Sequence, residues 1–176
     1  MKTKITILFL ALVTVFSCDE LDKLTEFDVT EDFDTSVNVS IDDNNGGMEA
    51  SVNQSSTINI ADNQDVKDNL DLIESVTINE LTYQIANFDG PEGATITEAS
   101  INFADVSISV ADINLGEADA NNTVFTISDS GKIGNIANIL KNNNELTVTV
   151  TGTISSTPAS FDVVVNLDAT IKIDVI

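Results

Sequence analysis

The chain has no histidine, no tryptophan, no arginine, one cysteine, one tyrosine and two prolines in 176 residues. Without histidine there is no side chain whose unperturbed pKa lies near neutrality, no Ser-His or Cys-His nucleophile and no imidazole metal ligand. A lone cysteine allows no intrachain disulfide and no Cys-based zinc or iron-sulfur site. Without arginine there is no bidentate fork for phosphate or carboxylate. Seven lysines stand against 29 acidic residues, a formal charge of −22, and such a field repels phosphate backbones, so nucleic acid is not an expected partner. Carboxylates remain as acid–base groups. A glycosidase needs only two of them, but sugar sites commonly add aromatic platforms, which one Tyr and no Trp supply poorly. The composition points to a noncatalytic protein without a cofactor, with a carboxylate-dependent hydrolase as the catalytic alternative.

What is present begins at the N-terminus. Lys2 and Lys4 precede residues 5–16, twelve positions of which ten are apolar. That is the layout of a secretory signal peptide, and the run is too short for a membrane span of about 20 residues. It ends at Val15-Phe16-Ser17-Cys18, followed by Asp19, Glu20 and Asp22. This arrangement resembles a bacterial lipoprotein signal, in the relaxed form of Bacteroidetes lipoproteins, with Phe16 standing where the usual box has a small residue. The resemblance implies cleavage before Cys18, lipidation of its sulfur and a membrane partner reached through that anchor. The acidic residues after the cysteine resemble a signal for export to the outer face of the outer membrane. Lipidation also removes the liability of an unpaired thiol in an oxidising compartment, and two or three acyl chains, at about 0.8 kcal/mol per buried methylene, anchor a protein stably. Residues 1–17 are thus expected to be signal peptide and residues 18–34 an acidic tether. Residues 35–176 are expected to form a single β-rich domain. After cleavage, five lysines face 29 acidic residues, a formal charge of −24.

Strand patterning dominates the remainder. Val37, Val39 and Ile41 alternate with polar residues. The turn Asp42-Asp43-Asn44-Asn45-Gly46-Gly47 follows, and then Met48, Ala50 and Val52 resume the alternation, which predicts a hairpin. Asp42, Asp43 and Asn44 are candidate calcium ligands, since Asp42, Asn44 and Gly47 occupy the first, third and sixth places of an EF-hand loop. The twelfth place is Asn53 rather than Glu, and turn chemistry explains the same residues. Val66, Leu70 and Ile73 share one helical stripe, which predicts a helix to about residue 73. The phase change at Asn79-Glu80 predicts a bulge. Residues 112–122 read as a solvated, oxygen-rich loop. Ile133, Ile136, Ala137 and Leu140 predict a second helix, ended by Asn142-Asn143-Asn144. From Phe161 to Val175 every second residue is apolar, which predicts a final strand of about 15 residues with an outer face that is polar except at Val164.

These elements predict a mainly β fold, an antiparallel β-sandwich or rolled sheet with two short helices. The function expected is a noncatalytic, surface-exposed outer-membrane lipoprotein that binds an extracellular protein or glycan or organises the envelope. An apolar small-molecule or lipid carrier is the alternative. A calcium role for Asp42, Asp43 and Asn44 predicts a melting temperature that falls in chelator and becomes insensitive to calcium when the three are substituted. Equal melting in calcium and chelator excludes a structural calcium site.

Overall fold

The last strand organises the fold, as its alternation demands. The computed structural model describes residues 25–43 and 48–175. The strands are β1 (Glu26–Ile41), β2 (Ala50–Asn59), β3 (Ile73–Asp89), β4 (Thr95–Phe103), β5 (Val106–Ser109), β6 (Ile113–Asn114), β7 (Val124–Thr126), β8 (Glu145–Ile154) and β9 (Ala159–Asp174). The helices are α1 (Gln64–Lys67), α2 (Leu115–Ala120) and α3 (Ser130–Asn143). One antiparallel sheet runs β1-β9-β3-β7. The other runs β2-β8-β4-β5, with β6 paired to β4. The protein is a two-sheet antiparallel β-sandwich with three short helices.

β9 is an inner strand of the first sheet. It pairs with β1 without a break from Glu26↔Asp174 to Ile41↔Ala159, and with β3 on its other side. Phe161, Val163, Val165, Leu167, Ala169, Ile171 and Ile173 are all buried. They face Val148, Val150, Leu146, Ile101 and Phe103 of the second sheet's strands, which are buried with them in one core. α3 contacts both β3 and β8 and buries Ile136, Ala137 and Leu140, so it closes the side of the sandwich between the two sheets. Asp129 caps α3 by accepting from the backbone N–H groups of Gly131 and Lys132. Asn144, left-handed at φ 61°, stops it.

β3 carries one residue more than β9 at each of three register shifts, at Ile73/Ser75, Ile78/Glu80 and Ala86/Asp89. The middle one is the bulge expected at Asn79-Glu80.

Four expectations need correction. β1 and β2 are not a hairpin: each lies in a different sheet, because β9 outcompetes β2 for β1 with sixteen paired residues, and β2 pairs with β8 instead. Residues 26–34, placed in the tether, form the first half of β1 on β9. The first helix is one turn, capped by Asn63 and ended at Asp68; a 3-10 turn follows over Leu70–Leu72, and Ile73 opens β3. The oxygen-rich loop contains α2, whose Asn114 accepts from the Glu117 N–H and whose Leu115 and Ala118 are buried.

The alternation of β9 makes neighbouring positions unequal. Leu167→Ala, which empties a fully buried site opposite Leu81, is expected to cost about 2–5 kcal/mol. Asn166→Ala on the outer face is expected to stay within about 0.5 kcal/mol. Urea unfolding of the two variants checks the contrast.

Candidate functional surfaces and the groove at Tyr83

The outer faces of the two sheets differ in charge. On the first, the paired registers set Asp32, Asp168 and Glu80 abreast across β1, β9 and β3, with Asp28, Asp34, Asp162 and Asp174 nearby. Like charges directly opposite one another are destabilising on a sheet. The β3 bulges offset part of this, because each extra residue reaches a charged group of β9. Glu74 pairs with Lys172 at 2.8 Å. Asn79 donates to Asp168 at 3.1 Å and to Thr170 at 3.0 Å. Asn87 donates to Asp162 at 2.8 Å. Lys172 also meets Glu26 at 2.7 Å, and hydrogen bonds to the two carboxylates raise its pKa above the ordinary lysine value. Asp162 accepts from Asn38 at 2.9 Å on its other oxygen, and the two amides, Asn38 foremost, lower its pKa.

The outer face of the second sheet is uncharged over most of its area. Thr147, Thr149, Thr151 and Thr153 of β8 lie opposite Thr57, Ser55, Asn53 and Ser51 of β2, and Ser100 and Asn102 of β4 continue the rows toward Ser109 and Ser107. It is a field of hydroxyls and amides with no aromatic among them.

The interior leaves little room for a ligand. Phe103, Phe161 and Ile171 are buried in the core, and the gap among Tyr83, Ile85, Ile101, Val150 and Phe161 measures about 20 Å³. That is space for about one water, against the several hundred Å³ of a ligand pocket. No Asp or Glu is buried among the described residues, where the buried polar side chains are Thr35, Thr82 and Thr157. The buried carboxylate pair of a hydrolase is therefore not assembled there.

Of the residues singled out in the sequence, Cys18 and Asn44 lie outside the described residues. Asp42 lines an open cleft of about 330 Å³ at one end of the sandwich, with Asp89 and the cis Thr157–Pro158 bond's proline. No group of three metal-ligating side chains occurs among the described residues.

One recess has a different character. The chain's only tyrosine stands in the middle of β3, where its ring stacks on Phe125 of β7 with centroids 4.9 Å apart and planes 12° from parallel. Tyr83 lines a groove of about 310 Å³ between β5 and the connection from β7 into α3, together with Ile108, Ser109, Ser128, Asp129 and Lys132. The groove adjoins a second recess of about 470 Å³ at Lys132, edged by Asp105, Ser107, Asn135 and Asn138. Tyr83 is only 8% exposed, and its hydroxyl has no hydrogen-bond partner among the described residues. Every fully buried side-chain polar atom there is satisfied, so that hydroxyl must open into the groove. Burial pushes the phenol above its ordinary value, which keeps it a donor at neutral pH. Sequence reasoning missed this site. The usable signal was a single Tyr in a core-facing position, since a buried tyrosine calls for a partner for its hydroxyl.

No known family's sequence profile matches the chain, and no curated protein matches it. Among solved structures, a chain of desmodium yellow mottle tymovirus superposes with a TM-score of 0.35 at 8% identity, over 85% of this chain and 84% of that one.

The Asp162 site has a pH signature. Its depressed carboxylate contributes stability above the unfolded value of about 3.9, and that contribution is lost as pH falls through the lower folded value. Asp162→Ala is expected to cost about 1 kcal/mol at pH 7, since the hydrogen bonds are exposed. The gap from the wild type should shrink steadily below about pH 4. Thermal melts from pH 7 to pH 2 on both proteins measure it, and a constant gap would remove Asp162 from the account.

Proposed function

We propose that the protein is a noncatalytic lipoprotein of the cell envelope, anchored through Cys18 and displaying the sandwich outside the membrane, where it binds an extracellular glycan or protein. The observation that carries this reading is where the polar chemistry lies. The interior is apolar and filled, while hydroxyls, amides and carboxylates crowd the two outer faces and the grooves at the sandwich margin. Such a molecule recognises at its surface rather than enclosing a ligand. A filled core also weighs against the apolar carrier, and dispersed carboxylates weigh against the hydrolase.

The anchor fits the arrangement of the chain. β1 begins at Glu26, so seven residues separate it from Cys18, a short spacer that at about 3.5 Å per residue reaches no more than about 25 Å. The sandwich would then stand close to the membrane, with the acidic outer face of its first sheet repelling anionic head groups. No helix among the described residues is long and apolar enough to cross a membrane.

Metabolic labelling with a fatty-acid analogue, in parallel with protease shaving of intact cells, tests the reading. The wild-type chain is expected to take up label and to be shaved, and Cys18→Ala to lose the label and leave the membrane fraction. Label persisting in Cys18→Ala would end the proposal of an anchor at that residue. A labelled chain that resists shaving would turn the protein to the inner side of the envelope.

A further inference from the structure

Within the surface-binding reading just given, on which this inference rests, we infer that the groove at Tyr83 is a binding site for a short neutral oligosaccharide. Three observations converge. The first is the Tyr83 hydroxyl, a donor fixed by the stacked Phe125 ring, more than nine-tenths buried as a residue and without a partner of its own. A hydroxyl that faces the groove with no partner in the protein is free to donate to a ligand there in exchange for water.

The second is the lining. Ile108 and Val110 give apolar ground, while Ser109, Thr126 and Ser128 offer hydroxyls that both donate and accept. Farther along, Asn135 and Asn138 of α3 add amides on one side and Ser107 of β5 a hydroxyl on the other. Sugar rings have this double character, with C–H patches beside hydroxyls that need donors and acceptors in alternation. A fatty ligand would leave the amides and hydroxyls unpaired, at a cost.

The third is charge. Lys132 Nζ sits 4.0 Å from Asp129 Oδ2, a loose pair that cancels locally. Asp105 leaves the groove slightly negative, in a chain of formal charge −22. Anionic glycans are repelled over any long approach, and neutral ones are not. The two recesses, of about 310 and about 470 Å³, share Lys132 in their linings, and each lies in the size range of small-molecule sites.

The test is calorimetric titration of the full-length chain in detergent with neutral hexasaccharides, one each of α-1,4-linked glucose, β-1,4-linked glucose, β-1,4-linked xylose and β-1,4-linked mannose. At least one is expected to bind, and Tyr83→Phe to weaken it about tenfold, the loss of one well-placed hydrogen bond. Because that hydroxyl has no partner in the protein, Tyr83→Phe should melt no lower than the wild type, which separates a lost ligand contact from a lost fold. Asn135→Ala should weaken binding too, and Asn53→Ala on the outer face of the second sheet should not. Absence of binding by all four sugars, or binding indifferent to Tyr83→Phe and Asn135→Ala, overturns the inference. So does capture of an extended peptide in place of sugar. Failure of the anchor reading is distinguishable: a chain that binds sugar but takes no lipid label keeps the groove and loses the anchor, and a labelled, shaved chain that binds no sugar does the reverse.

Discussion

The sandwich depends on one strand whose two sides obey different rules. β9 alternates apolar and polar residues over sixteen positions with Val164 as the exception, and both of its edges are paired, to β1 and to β3. A slip of one residue would carry Phe161, Val165, Leu167 and Ile171 to the solvent side and Asp162 and Asp168 into the core. Burying a single unpaired carboxylate costs far more than a register gains elsewhere. The register of β1 and β3 is therefore imposed by β9 through the core, not by turns. β1 has no turn connecting it to β9, its one neighbour in the sheet, which is why its sixteen pairs form across more than a hundred residues of intervening sequence.

The same constraint explains the bulges of β3. A strand that follows β9 pair for pair would bring a second row of outer-face residues directly beside its carboxylates. At each of three points β3 admits an extra residue, and Glu74, Asn79 and Asn87 spend that freedom on partners for Lys172, Asp168 and Asp162. Two of the three are amides, the side chains that can donate to a carboxylate without adding charge. Asn87 takes φ 54° to do so, a conformation that asparagine tolerates better than most residues. In a chain with seven lysines and no arginine, asparagine does much of the work that cations perform elsewhere.

What the sequence disclosed and what it concealed follow from the range of the interactions involved. The alternation in β9, the bulge at Asn79 and the cap and stop of α3 at Asp129 and Asn144 are encoded within a few residues, so they are legible there. Partner choice is not. Val37, Val39, Ala50 and Val52 describe two strands flanking a turn, which is also what a hairpin looks like. Only β9 and β8, more than eighty residues away, decide that the two strands enter separate sheets. The helix expected to reach Ile73 fails for a related reason. Val66, Leu70 and Ile73 fit a helical stripe, yet the same three residues serve one turn, a 3-10 turn and a strand start, once Ile73 finds Ile173 across the sheet. Residues 26–34 look like a tether in the sequence because their acids suit a solvated linker as well as the outer face of a sheet.

The groove is the least legible feature, because its chemistry exists only after folding. Tyr83, Ser109, Asp129 and Lys132 come from β3, β5 and the start of α3, and no short window of sequence contains two of the three elements. The sandwich supplies what the sequence lacks by placing the edge of β5 opposite the β7–α3 connection and leaving a trough between them. Closing the margin with α3 satisfies the core, since Ile136, Ala137 and Leu140 point inward. The same helix sends Lys132, Asn135 and Asn138 to the trough. One amphipathic helix thus completes the hydrophobic core and furnishes the polar wall of a recess. Tyr83 stands between the two, its ring in the core and its hydroxyl at the groove, so the surface proposed for binding is held by the same packing that stabilises the fold.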